Sequence, residues 1–128
     1  MAELGSTTIF GDLTITGEIP AVNFRIINFT SEYNNGTVSS NTTIDWKNGN
    51  NQVITLSGDI TLSFSNMGVG HKQLRIVQDS TGGRSVTLPT GKWPGGIAQS
   101  LSTSANAEDI LSIFYNGVYY YQLSKGWA

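Results

Sequence analysis

Hydrophobic and polar positions are most clearly ordered near the C-terminal end of the chain. Across residues 110–123, two runs of β-branched and aromatic residues meet at Asn116-Gly117. Both residues of that dipeptide accept the positive φ of a two-residue type I′ turn, so the pattern predicts a β-hairpin. With this turn Tyr115 faces Val118, Phe114 faces Tyr119, Ile113 faces Tyr120 and Ile110 faces Leu123. One face then carries Ile110, Phe114, Tyr119, Tyr121 and Leu123, and the other Leu111, Ile113, Tyr115, Val118 and Tyr120. A sheet with one wet side alternates, whereas this hairpin is largely apolar on both. The first face covers the domain's own core. The second is covered either by another copy of the chain or by a second layer of the same domain.

Upstream, residues 7–17 alternate apolar and polar positions through Ile9, Leu13 and Ile15 until Pro20 stops the pattern. They predict one or two short strands, or an extended arm ordered against a neighbour. Strands are expected over 23–30, 42–47, 52–56 and 60–64, with the segment around Asn34-Asn35-Gly36 as a loop or hairpin turn and Asn48-Gly49-Asn50-Asn51 as a turn. Residues 73–78 and 85–88 are expected to form a second hairpin, closed by Pro89. The long irregular crossing that follows suits a sandwich whose chain changes sheets. Gly11-Asp12-Leu13-Thr14-Ile15 resembles Gly58-Asp59-Ile60-Thr61-Leu62, which supports reading the arm as strand.

Composition sharpens this to one all-β domain. Of the 128 residues only 12% are charged, against about 25% in an average soluble domain. Gly, Ser, Thr and Asn replace the missing charges. The net charge of −2, with basic residues scattered singly, gives no footprint for nucleic acid or an anionic membrane. No apolar run reaches membrane-spanning length and no signal-peptide pattern opens the chain, so folding in the cytoplasm of the producing cell and no membrane insertion are expected. Without cysteine there is no disulfide staple, and oligomer formation is the alternative source of stability.

Candidate chemistry is thin. His71 is the only histidine and lies between glycine-rich positions, where a solvated loop residue is expected. With no second histidine and no cysteine, the usual zinc ligand set is missing. Most acids sit beside Gly, Asn or Ser in predicted turns, where carboxylates accept backbone N–H bonds, and the adjacent Glu108-Asp109 reads as a solvated strand entry. No catalytic, cofactor or metal site is expected, and the chain is expected not to be an enzyme. Trp46 alternates with Ile44 and is assigned to the core. Trp93 and Trp127 lie in loop or tail sequence, as sugar-stacking platforms or as anchors between subunits.

From Ile60 onward the order of pieces resembles bacteriophage virion appendage proteins: head fibres, capsid decoration proteins and the C-terminal domains of tail or collar fibres. The pieces are Ile60-Thr61-Leu62-Ser63-Phe64, Leu74-Arg75-Ile76-Val77-Gln78-Asp79, Gly82-Gly83-Arg84-Ser85-Val86-Thr87-Leu88-Pro89, Lys92-Trp93-Pro94-Gly95-Gly96, Leu101-Ser102-Thr103 and the closing Asp109 to Tyr120 run. The resemblance implies an antiparallel, jelly-roll-like β-sandwich knob over residues 22–128, a homotrimer on the virion surface, with an anchoring arm over residues 1–21. On this reading the arm docks on a capsid or tail protein through Ile9, Phe10, Leu13 and Ile15. Leu111, Ile113, Tyr115, Val118, Tyr120 and Trp127 are the trimer-interface candidates, and Trp93 is the candidate for stacking a ligand. The expected function is a trimeric head fibre or capsid decoration protein; the alternative is a receptor- or carbohydrate-binding tip of a tail fibre that recognises a host surface glycan.

Overall fold

From Tyr33 to Thr87 the chain advances as a coil, placing successive strands in two facing layers. The computed structural model describes residues 5, 8 and 10–128. Strand β1 (Tyr33–Val38) lies in one layer and β2 (Thr42–Asp45) in the other. A 3-10 turn, Trp46–Asn48, returns the chain to β3 (Asn51–Leu56) beside β1, and β4 (Ile60–Ser65) then pairs with β2. β5 (Gly70–Gln78) and the short β6 (Val86–Thr87) complete a further turn of the coil. Every neighbour within this part is parallel, because each turn of the coil repeats the direction of the one before. The fold is all-β as expected, but the expected antiparallel pairing is corrected: the smaller sheet is parallel and the larger one mixed.

The alternating pattern of strands such as Ile60-Thr61-Leu62 suits a hairpin and an arch equally. What selects the arch is the stacking of the connections. Gly58 lies against Ser39, with a Cβ built on it only 3.0 Å from the Ser39 carbonyl oxygen. The Asn41 side chain accepts from the Thr61 N–H (2.9 Å) and that of Asp59 from the Ser85 N–H (2.8 Å). Each arch is thus bonded to the next turn. The hairpin expected between residues 73–78 and 85–88 does not form; β5 and β6 lie in different sheets.

The C-terminal half adds β7 (Gly91–Lys92), β8 (Glu108–Tyr115) and β9 (Tyr119–Trp127). The six-stranded sheet runs β1-β3-β5-β8-β9-β7, and the smaller one β2-β4-β6. Ile44, Ile54, Leu56, Leu62, Leu74, Leu111 and Ile113 are fully or almost fully buried in one core shared by both layers. Under β8 and β9 the cover is Val86 at the edge of the smaller sheet and, beyond it, Leu88, Trp93 and Leu101 from the crossing segments. A cavity of about 130 Å³ remains there, lined in part by Ile76, Leu88, Leu111 and Leu123.

The closing hairpin forms, one residue out of the expected register. Its connection holds Asn116, Gly117 and Val118; Gly117 takes φ +104° and the Asn116 side chain accepts from the Val118 N–H (3.3 Å). Tyr115 therefore pairs with Tyr119, Phe114 with Tyr120, Ile113 with Tyr121 and Leu111 with Leu123. A slip of one residue exchanges faces along a strand. Leu111, Ile113 and Tyr115 join Tyr119, Tyr121 and Leu123 on the inner face, so these three proposed interface residues belong to the protomer's own core. The outer face reads Ile110, Ser112, Phe114 against Ser124, Gln122, Tyr120. It alternates in chemistry, and the hairpin is not apolar on both sides.

Residues 10–32 contain no strand, so the segment expected as a strand over 23–30 is irregular and exposed, and the Asn34-Asn35-Gly36 turn is part of β1. Of the proposed docking residues, Phe10, Leu13 and Ile15 are exposed, and Ile9 lies outside the described residues.

Candidate functional site

Across the outer face of the large sheet, alternation brings like residues into rows. His71 on β5 pairs with Phe114 on β8, Phe114 with Tyr120 on β9, and Tyr120 with Lys92 on β7. The ring centroids are 5.0 Å apart for His71 and Phe114 and 5.9 Å for Phe114 and Tyr120. Lys92 Nζ stands 5.5 Å over the Tyr120 ring, a cation–π approach. The adjacent row is polar: Gln73 pairs with Ser112, and Ser112 with Gln122. An open groove of about 450 Å³ runs along His71, Phe114 and Tyr120 and the Ser112–Gln122 part of the polar row, bordered by Trp93 and Pro94.

The inner side of the same strands fixes this surface. Tyr121 is buried, donates from its hydroxyl to the Pro89 carbonyl (2.9 Å) and packs its ring 5.1 Å from that of Trp93. Burial, and secondarily Tyr119, pushes the Tyr121 phenol far above its usual range; burial and then Tyr115 raise that of Tyr119. Both phenols remain neutral donors at physiological pH. Gly91 explains how β7 comes so close: a Cβ there would strike the Tyr121 ring and the Tyr119 carbonyl. Lys92 and Trp93 are thereby held at the rim of the groove.

The groove can offer aromatic faces to the apolar face of a sugar ring, and the Ser112 hydroxyl, the Gln122 amide and the Lys92 ammonium to its hydroxyls. Among the described residues lining it there is no carboxylate. Trp93 is half-buried, with one part in the core and one at the rim. Tyr120, offered as an interface residue, lies in the groove; Val118 at the turn and Trp127 at the end of β9 are exposed. His71 is exposed as expected, but it stands on strand β5 against Phe114 and not in a loop. Phe114, Lys92, Ser112 and Gln122 were not singled out as site residues. Their period-2 alternation was legible, but only the three-residue turn places Phe114 beside Tyr120.

Several acids serve the scaffold. Asp79 accepts from the Thr81 and Gly82 N–H groups and pairs with Arg84 at 3.0 Å, and Arg84 first, then Gly82, holds its carboxyl below the usual range. Arg75 bridges Glu32 (2.7 Å) and Glu108 (2.9 Å). Asp109 is no solvated strand entry: it is buried and accepts from the Ser102 and Gly126 N–H groups. Among the described residues no cluster of His, Cys, Asp and Glu is placed to hold a metal, and no helix is long and apolar enough to cross a membrane.

A family model described as "Putative phage tail fibre C-terminal domain" matches residues 26–120. The match takes in the coil and the groove residues from His71 to Tyr120. No curated protein and no solved structure matches the chain. The two-layer β-fold and the extent of the family match converge, and the chain belongs to the phage tail fibre C-terminal domain family, a family of virion appendage proteins.

Proposed function

We propose that this domain forms the distal part of a phage tail fibre and that its outer groove binds a saccharide of the host surface. The observation that carries this reading is the aromatic row His71, Phe114 and Tyr120 beside the polar pair Ser112 and Gln122, with Lys92 and Trp93 at the rim. Stacking supplies affinity for a ring of any sugar, and the amides and hydroxyl supply orientation. The role is recognition without catalysis. The family match supports a place on the tail in preference to the head or capsid surface. The domain works as a homotrimer, and the segment over residues 10–32 joins it to the rest of the fibre; the apolar side chains exposed there, Phe10, Leu13 and Ile15 included, support this.

Binding of oligosaccharides from host lipopolysaccharide or capsule, measured by calorimetry, tests the groove. The wild-type chain is expected to bind, with Tyr120→Ala and Phe114→Ala each losing tenfold or more while the melting temperature holds. Binding that survives both substitutions would refute the groove assignment. A solution mass of three chains by light scattering is expected at all practical dilutions; a monomer would refute the trimer.

A further inference from the structure

The N-terminal end of the coil is open. β1 and β2 are the outer strands of their sheets on that side, with no neighbour among the described residues. Such edges present unpaired N–H and C=O groups and are normally bulged, charged or covered. β1 carries a bulge between Asn34 and Thr37, but β2 is in regular register over its whole length.

The segment just upstream has the dimensions of the missing turn of coil. In the smaller sheet Thr42 pairs with Leu62 and Ile44 with Phe64, an offset of 20 residues. One more step of 20 from Thr42, Ile44 and Trp46 lands on Val22, Phe24 and Ile26, which alternate as those inward positions do. In the larger sheet Tyr33 pairs with Gln52 and Val38 with Leu56, offsets of 19 and 18; the matching step from β1 reaches Thr14 and Pro20, with Ile15 in line with Asn34, so the clear repeat is that of the smaller sheet. Val22, Phe24 and Ile26 are nevertheless exposed and the segment pairs with neither edge of its own domain. On the outward side, Asn23 falls in line with Thr43 and Ser63, whose hydroxyls are 2.6 Å apart.

We infer that residues 22–26 of a second copy add as a parallel strand to β2, with Val22, Phe24 and Ile26 continuing the inward columns of Thr42, Ile44 and Trp46. This rests on reading residues 10–32 as the assembly segment and names its partner as another copy of this chain. Strand addition supplies the backbone partners that the edge lacks, and the repeat offset supplies the register.

The chain lacks cysteine, so single cysteines report on pairing cleanly. Asn23→Cys and Thr43→Cys, placed on differently tagged full-length chains and mixed under mild oxidation, are expected to give a mixed-tag disulfide dimer. The double variant within one chain is expected to cross-link between chains too. A disulfide closed within one chain, or none at all, overturns the inference. Phe24→Asp, exposed in the protomer and therefore harmless to its core, is expected to lower the solution mass; an unchanged mass overturns the inference independently. A wild-type chain that is multimeric yet gives no mixed dimer sinks this pairing alone, whereas a monomeric wild-type chain sinks the assembly reading with it.

Discussion

Replacing Asp109 with alanine tests how the crossing segment and the chain end are held together. The carboxylate is 2% exposed and accepts two short bonds, from Ser102 N–H at 2.6 Å and Gly126 N–H at 2.7 Å. It thereby ties the crossing to the last turns of β9 at the start of β8. Hydrogen bonds to a charged group contribute about 1.5–3 kcal/mol each, and a buried donor left alone carries its desolvation cost. Asp109→Ala is therefore expected to cost about 3–5 kcal/mol. Asp109→Asn keeps one acceptor but turns an amide N–H toward the other donor, at about 2–3 kcal/mol. Against a total stability of roughly 5–15 kcal/mol, the alanine change is large. Urea denaturation of the three proteins gives the order wild type, Asn, Ala in midpoint, with tryptic cleavage after Lys125 accelerating in the same order. An alanine variant within about 0.5 kcal/mol of wild type, with unchanged cleavage after Lys125, would refute the clamp.

Gly82→Ala should destabilise by about 2 kcal/mol or more, since φ is +73° and a Cβ would meet the Thr103 carbonyl and the Ala105 N–H; thermal melting measures it, and a melting point equal to wild type would show that residues 79–84 do not pack on residues 103–105. Gln52→Met keeps the shape of a fully buried side chain but loses its bonds to the Asp45 and Gly49 carbonyls and to the Asn35 amide, an expected cost of about 2–3 kcal/mol in urea. The Asp79 carboxyl titrates below its usual 3.8 in the folded chain, chiefly because of Arg84 and then the Gly82 N–H. A depressed folded pKa gives stability that is present above the unfolded value and lost as pH falls through the folded one. Asp79→Asn should thus be less stable near neutrality but lose less melting temperature on acidification below about pH 4; an acid limb as steep as wild type would contradict this.

Much of the strand content is legible in residue type. Ile60-Thr61-Leu62, Leu74-Arg75-Ile76 and the Ile110 to Leu123 run are strands where period-2 alternation places them, and Trp46 and Ile44 are buried as their spacing implies. The strand expected over residues 23–30 does not form: no strand among the described residues pairs with them. The groove was half legible. Trp93 stands out as an aromatic in loop sequence and Tyr120 only as an interface candidate, while His71, Phe114 and Gln122 gain meaning only once their strands lie side by side.

The sequence by itself determined the all-β class, the absence of disulfide staples, the closing hairpin and the family, because these follow from local propensity, composition and the order of short motifs. Only the tertiary structure decided which strands are neighbours. Period-2 alternation says that a strand has an inner and an outer face, but it is the same for a hairpin and an arch. Stacked contacts such as Gly58 on Ser39 and Asp59 to the Ser85 N–H chose the arch. At the last hairpin the choice rested on one residue of turn length, and with a side-chain period of two that residue moved Leu111 and Ile113 into the core and set Phe114 beside Tyr120.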